Sequence, residues 1–276
     1  MGDRPNEVST AIASIREQSV AAHEIILVGN GTTVSEADDV TTLNLPDNVG
    51  VTGGRNAGAQ VARGDVLFFL DDDARLIGSD VACDVLRLLD DRPEVAAVSL
   101  RIVDETSGQV QRRHVPRLRV GDPLLSSDVT TFLGGACAIR RNAFEQAGGY
   151  PEAFFYAMEE TDLAWGLLDL GHTIHYLGSS AVHHPTTQPA RHGFAFSATA
   201  RNRVWLARRR LPRPMSWIYI MTSLVLTLVR APSWQARKDI FGGTLTGVQT
   251  RPDLPSRPIS WATIWRMTRL GRPPVV

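Results

Sequence analysis

Lysine is all but missing from this chain. Lys238 is the single one among 29 basic residues, and 29 acidic residues balance them. A formal net charge of zero gives no sign of a broad basic footprint, so no nucleic-acid partner is expected. The arginine bias fits a GC-rich genome as readily as any function. Cysteine is scarce too: Cys83 and Cys137 make neither a disulfide framework nor a zinc ligand set. Cys137 lies in an apolar run, as a small core residue does. No signal-peptide pattern opens the sequence, so the working parts are expected on the cytoplasmic side. The most apolar stretch near the C-terminus, residues 215–229, holds fifteen residues without a charge. That falls short of the roughly 20 needed to span a bilayer.

What is present begins with Val66-Leu67-Phe68-Phe69-Leu70, followed by Asp71, Asp72 and Asp73. Five apolar residues in a row predict a strand buried on both faces. Three adjacent carboxylates repel one another, so a fold that holds them together calls for a cation there. The carboxyl end of a strand in an open α/β sheet is also where ligands sit. A solvated acidic turn is the plainer reading of the same residues.

Periodicity along the chain predicts helices over residues 6–18, 79–90, 142–147, 159–170 and 196–210. Strands are predicted over 24–28, 41–45, 66–70, 95–103, 130–140 and 172–177. Residues 48–58 read as a glycine-rich loop that enters a helix near Arg55, and 109–128 as an excursion without periodicity. Alternating strands and helices give an α/β domain with a mostly parallel, doubly wound sheet and helices on both faces. Two parts are expected, residues 1–192 as the α/β domain and 193–276 as a basic, apolar helical region and tail. Arg208, Arg209, Arg210, Arg213 and Arg230 flank the uncharged run, and Trp217 and Tyr219 lie in it. This pattern fits a helix apposed to an anionic membrane surface, although a buried terminal helix would read the same way. The remainder, rich in Pro, Arg and Trp, reads as a partly ordered tail.

Four patches stand in order. The first is Ile25-Ile26-Leu27-Val28-Gly29-Asn30-Gly31. The second is Asn48-Val49-Gly50-Val51-Thr52-Gly53-Gly54-Arg55-Asn56-Ala57-Gly58. The triple aspartate is the third. The last is Phe155-Tyr156-Ala157-Met158-Glu159-Glu160-Thr161-Asp162-Leu163, with His183-His184 following after a strand. On the residues alone, the glycines of the second patch permit close backbone approach, and Arg55 suits a phosphate or a base. Glu159, Glu160 and Asp162 could equally be capping charges at a helix start.

This order and spacing resemble the family 2 glycosyltransferases of the GT-A fold, particularly bacterial enzymes that build rhamnan, galactan or other cell-surface glycans. The resemblance covers roughly residues 2–192. It implies transfer of a sugar from a nucleotide diphosphate sugar to a glycan or lipid-linked acceptor, with inversion and with Mg²⁺ or Mn²⁺ as cofactor. By this likeness Asp73 ligates the metal, Asp71 contacts metal water or ribose, and Asp72 supports them. His184, or else His183, adds a further contact. Asn30, Asn48, Gly50, Arg55, Asn56 and Gly135 line the nucleotide and sugar pocket. Glu160 is the general base, one methylene longer than the aspartate usual in relatives; Asp162 is the second choice, and Glu159 binds acceptor hydroxyls. Location on the inner face of the cell membrane follows. A sugar nucleotidyltransferase, or a non-catalytic relative that binds glycan or a partner, remains an alternative.

Relatives open with an apolar strand before the first helix. Here Met1-Gly2-Asp3-Arg4-Pro5 already reads as the turn after it. The expectation is an upstream start codon with four to six apolar residues encoded before Met1. A central strand removed from a sheet exposes two edges.

Overall fold

A computed structural model describes residues 4–185 and 193–275. The turn expected at Met1-Gly2-Asp3 and the end of the span of resemblance lie outside the described residues. The chain folds through α1 (Pro5–Arg16), β1 (Ile25–Asn30), β2 (Val40–Leu45), α2 (Gly50–Val61), β3 (Val66–Leu70), β4 (Arg75–Leu76) and α3 (Val81–Asp91). It continues through β5 (Val95–Val103), a single 3-10 turn at Arg112–His114, β6 (Ser127–Val129), β7 (Ala136–Arg140) and α4 (Arg141–Ala147). After a second 3-10 turn at Glu152–Phe154 come α5 (Glu159–Asp169), β8 (Thr173–His183), α6 (Ala195–Arg210), α7 (Arg213–Arg230), α8 (Trp234–Gln249) and α9 (Trp261–Arg269). The α/β class and the GT-A type of architecture are borne out.

Among the described residues the strands form two sheets. β1 and β2 pair in parallel, Ile25 opposite Val40. The larger sheet runs β3-β7-β5-β8-β4, with β6 also on β8. β5 and β8 are parallel, while β7 lies antiparallel between β3 and β5. This order builds the site. Leu70 faces Ala136 across the β3–β7 ladder, so the residues just after β3 meet Gly134 and Gly135 just before β7. Arg75 faces His183 across β4–β8, which carries the end of β8 to the same corner.

Helices cover both faces because their apolar stripes need partners. Val81, Val85 and Leu89 of α3 pack with Val98, Leu100, Ile102 and Val182 on one side. On the other, Phe132, Phe144, Tyr150, Phe154 and Trp165 share one cluster with Val204 and Trp205 of α6, Tyr219 and Ile220 of α7, and Ile264 and Met267 of α9. The helices after residue 193 therefore complete the core under α5.

Three sequence readings are corrected. Residues 50–54 are already helical, not loop: Gly53 and Gly54 lie in the first turns of α2, where a side chain at Gly53 would strike Val49. The glycines serve close packing there. β8 runs on to His183, past the polar Gly178-Ser179-Ser180, with a register shift against β5 between Leu100 and Arg101. The tail contains two helices, each capped by a serine whose hydroxyl accepts a backbone N–H: Ser233 from Ala236 and Ser260 from Thr263. No described helix is long and apolar enough to cross a membrane. α7 nevertheless leaves Trp217, Met221 and Val225 more than half exposed, at 60%, 54% and 55%.

Candidate active site

Asp71 leaves β3 with its N–H bonded to the Gly135 carbonyl at 3.0 Å, and its own carbonyl accepts the Ala74 N–H in a tight turn. The turn brings Asp73 beside Asp71. From the end of β8, His184 places Nε2 3.5 Å from Asp71 Oδ2 and 3.4 Å from Asp73 Oδ1. One ligand atom from each of the three lies within 4.8 Å of the others. Two carboxylates and an imidazole are a donor set that suits Mn²⁺ or Mg²⁺. Asp72 turns away, to Arg4 Nη2 at 2.9 Å, and Arg4 Nη1 also contacts Asp73. The sequence did not single out Arg4.

Arg55, on α2, is the bridge to the second cluster. Its Nη2 donates to Asp71 Oδ1 at 2.8 Å, and Nη1 stands 3.7 Å from Glu160 Oε1 and 4.0 Å from Glu159 Oε1. Burial pushes the Asp71 carboxyl up, but Arg55 and His184 outweigh it and hold it well below the usual range. Arg55 is raised well above its ordinary value: burial opposes its charge, and Asp71 and the two glutamates overcome that. Glu160 is raised by burial, with Arg55 opposing. Glu159, buried deeper and repelled by Glu160, is pushed up to about 8. Two buried polar atoms here have no hydrogen-bond partner among the described residues, Arg55 Nη1 and Glu159 Oε2. A buried donor and a buried acceptor left unpaired here are groups that a water or a ligand would satisfy.

Gly134 and Gly135 separate the two clusters and leave them room. A Cβ on Gly134 would strike Arg55 Nη1 and lie 2.6 Å from Glu160 Oε1; one on Gly135 would lie 2.7 Å from Asp71 Oδ2. No other residue fits either place without displacing a charged group.

The segment leading into α5 is strained. Phe155, Ala157 and Met158 all have positive φ, at 64°, 70° and 72°. Non-glycine residues there cost free energy and persist only where surroundings fix them. Asn202 of α6, fully buried, does so: its Nδ2 donates to the carbonyls of Phe154, Tyr156 and Ala157 at 2.9, 2.8 and 2.9 Å. Gly50, at φ 76°, lies against Phe155, whose carbonyl accepts the Val51 N–H. Sequence reasoning missed Asn202; an amide in mid-helix among arginines was the available signal.

The structure sorts the remaining candidates. Asp162 does not reach the site. It is wholly buried and bonded to both Arg209 and Arg210, so it is removed as a possible base. Of the two histidines, His184 stands with Asp71 and Asp73, whereas His183, opposite Arg75 at the end of β8, is not part of that group. Asn30 spends its amide on the α2 approach, accepting from Val49 N and donating to Gly50 O, both at 2.9 Å. Asn48 Oδ1 accepts the Gly50 N–H at 3.0 Å. Asn56 ties α2 to Tyr150 and Glu152. These three amides therefore fix the approach to α2 and its contact with Tyr150 and Glu152.

The fold has solved counterparts. The S. aureus TarS 1–349 structure superposes with TM-score 0.62 at 12% identity, covering 90% of this chain and 79% of that one. GalNAc-T7, solved with UDP, GalNAc and Mn²⁺, gives 0.60 at 14% identity over 87% of this chain and 52% of that one. The mannosyltransferase PcManGT from Pyrobaculum calidifontis, with GDP-Man and Mn²⁺, gives 0.57 at 15%, covering 98% and 82%. In sequence, a probable N-acetylgalactosaminyltransferase 6 of Caenorhabditis elegans is 25% identical over 179 residues, 56% of this chain. The chain spans 29% of that relative's length. Residues 3–148, just over half the chain, match the glycosyl transferase family 2 pattern. On that match, joined to the acidic strand end and the architecture around it, the chain belongs to glycosyl transferase family 2.

Proposed function

We propose that the chain transfers a sugar from a nucleotide diphosphate sugar to a hydroxyl of a lipid-linked or polymeric cell-surface glycan, inverting the anomeric carbon. The observation that carries this is the pair of glycines with a different acid cluster on each side: Asp71, Asp73 and His184 beside Gly135, and Glu160 beside Gly134. One side suits a departing diphosphate and the other an incoming hydroxyl.

Asp71, Asp73 and His184 would hold Mg²⁺ or Mn²⁺; such an ion, when bound, stabilises negative charge on the leaving diphosphate. The Mn²⁺ in the GalNAc-T7 and PcManGT structures supports the choice. Arg55 keeps Asp71 ionised and offers Nη1 toward the reacting region. Glu160 receives the acceptor proton at its carboxylate. Burial raises its pKa toward the working pH, where a general base is most effective. Glu159 beneath it offers an unpaired Oε2 to an acceptor hydroxyl. The α2 approach from Asn48 to Arg55 forms the nucleotide wall. UDP and GDP-Man in the TarS and PcManGT structures make a nucleotide donor the natural class. The exposed apolar residues of α7, between Arg213 and Arg230, support a place on the inner face of the cell membrane.

The test is a thermal-shift screen with UDP-, GDP- and dTDP-sugars in the presence and absence of Mn²⁺, followed by a transfer assay. Asp73→Ala should abolish the metal-dependent stabilisation. Glu160→Gln should keep it and stop transfer. No stabilisation by any donor defeats the proposal, and unchanged transfer in Glu160→Gln moves the base to Glu159.

A further inference from the structure

Beside the first turn of α5 lies a cavity of about 180 Å³ between α5, α6, α7, α9 and the residues after α9. Arg203, Arg230 and Arg272 line it, and none of its lining residues is acidic. None of the three makes an ion pair among the described residues. Tyr219, which is 4% exposed, lies within electrostatic reach of both Arg203 and Arg272. Burial pulls the Arg272 guanidinium below its ordinary range, and only Tyr219 counters it. Three guanidinium groups around one cavity without a carboxylate, two of them half-buried, are unfavourable by themselves, and an anion relieves that cost.

The cavity is small. Pockets for whole drug-sized ligands run from about 300 to 1,000 Å³, so this one suits a head group and not a nucleotide sugar. Its position is telling. Met158 and Thr161 line it and flank Glu159 and Glu160 in sequence, and Thr130 and Thr131 line it just before Gly134. It therefore borders the segment that carries the proposed base and the one that leads to Gly134 beside it. Arg230 is exposed, which leaves an approach at the end of α7. α7 itself is two-sided: Tyr219, Ser223, Leu226 and Arg230 face the cavity, while Trp217, Met221 and Val225 recur at helical spacing on the exposed side.

We propose that this cavity binds the phosphate or diphosphate ester group of the acceptor, holding it beside Glu160. The assignment rests on the glycosyltransferase reading above for the word acceptor, and on the arginines for the anion. A soluble sugar phosphate and a lipid phosphate present the same group. The exposed apolar side of α7 favours the lipid.

Calorimetric titration of the full chain, without metal or donor, tests the site with farnesyl diphosphate, inorganic diphosphate and farnesol. Farnesyl diphosphate should bind at least roughly tenfold more tightly than farnesol, the loss expected for one charge-assisted hydrogen bond. Arg203→Met with Arg272→Met should weaken it by a similar factor or more. Ser223→Asp, which sets a carboxylate against the same arginines and relieves their repulsion, should do likewise in a chain that stays folded by circular dichroism. Equal binding of inorganic diphosphate supports the site with a soluble ester as its source; a clear preference for farnesyl diphosphate supports the lipid. The proposal is overturned if farnesol binds as tightly, if the folded variants keep full affinity, or if Asp73→Ala removes binding that the arginine variants retain. Should the arginines bind diphosphate while no nucleotide sugar stabilises the chain, the cavity assignment stands and the transferase reading fails.

Discussion

Asp162 grips Arg210 at both ends of the guanidinium, Nε to Oδ1 at 3.0 Å and Nη2 to Oδ2 at 2.8 Å, with both side chains buried. Arg209 Nε adds a third bond to Oδ1 at 3.0 Å. An acid that by sequence stands with Glu159 and Glu160 instead clamps α5 onto α6. Asp162→Ala would strand two buried guanidiniums, a loss of about 3–5 kcal/mol. Urea denaturation measures it; a change below about 1 kcal/mol would contradict the clamp.

Asn202 is expected to act on turnover. Asn202→Ala frees three carbonyls that hold Phe154, Tyr156 and Ala157, and the left-handed residues before α5 lose their fixed geometry. Stability should fall by about 1–3 kcal/mol, the range for leaving buried partners unmade. Turnover should fall by at least roughly tenfold more than an equally destabilising change in α3, because the glutamates shift with the segment. Equal effects from the two changes would deny Asn202 any positioning role.

Gly134→Ala tests the room between the clusters. The added methyl meets Arg55 and Glu160 together, so one of them must move. Displacement of about 1 Å at a reacting group costs on the order of a hundredfold in rate. Steady-state transfer by the variant, with nucleotide binding measured alongside, decides the matter; wild-type turnover would show that Glu160 is not held at the reacting centre.

The pH dependence carries a sign. Burial, then repulsion from Glu160, raises Glu159 from 4.5 to about 8. The folded chain therefore keeps a proton that the unfolded chain releases between those values. The resulting stability is fully present below about pH 4.5 and is lost as pH rises through about 8. Denaturation at pH 5 and pH 8 should show wild type losing more stability over the interval than Glu159→Gln. Identical losses would place the Glu159 carboxyl in an ordinary environment.

The parts of this chain written in local pattern were readable. The five apolar residues of β3 coincide with their strand, although only Leu67 is fully buried there, and β5 matches its predicted span because its mostly apolar run, broken only by Ser99 and Arg101, lies inside the sheet. The triple aspartate pointed to a strand-end acid cluster, and the structure places two of its carboxylates with His184. The first turns of α2 were not readable, since Gly50, Gly53 and Gly54 signal a loop unless the neighbour they admit is known. Nor was the fate of Asp162: its partners lie 47 and 48 residues further on, and nothing local distinguishes an acid that binds substrate from one that binds arginine. α8 and α9 escaped notice because proline and arginine between them read as tail, although Ser233 and Ser260 were in place as caps.

The carbonyl clamp on the strained segment comes from a helix that begins after residue 193. A shortened chain ending near 192 would retain every acid proposed for metal and proton transfer. It would still lack Asn202, Arg209 and Arg210, which keep those acids in register. Trimming to the recognisable portion would thus yield a protein with the right letters and the wrong shape, and its silence in an assay would say nothing about the chemistry of the intact molecule.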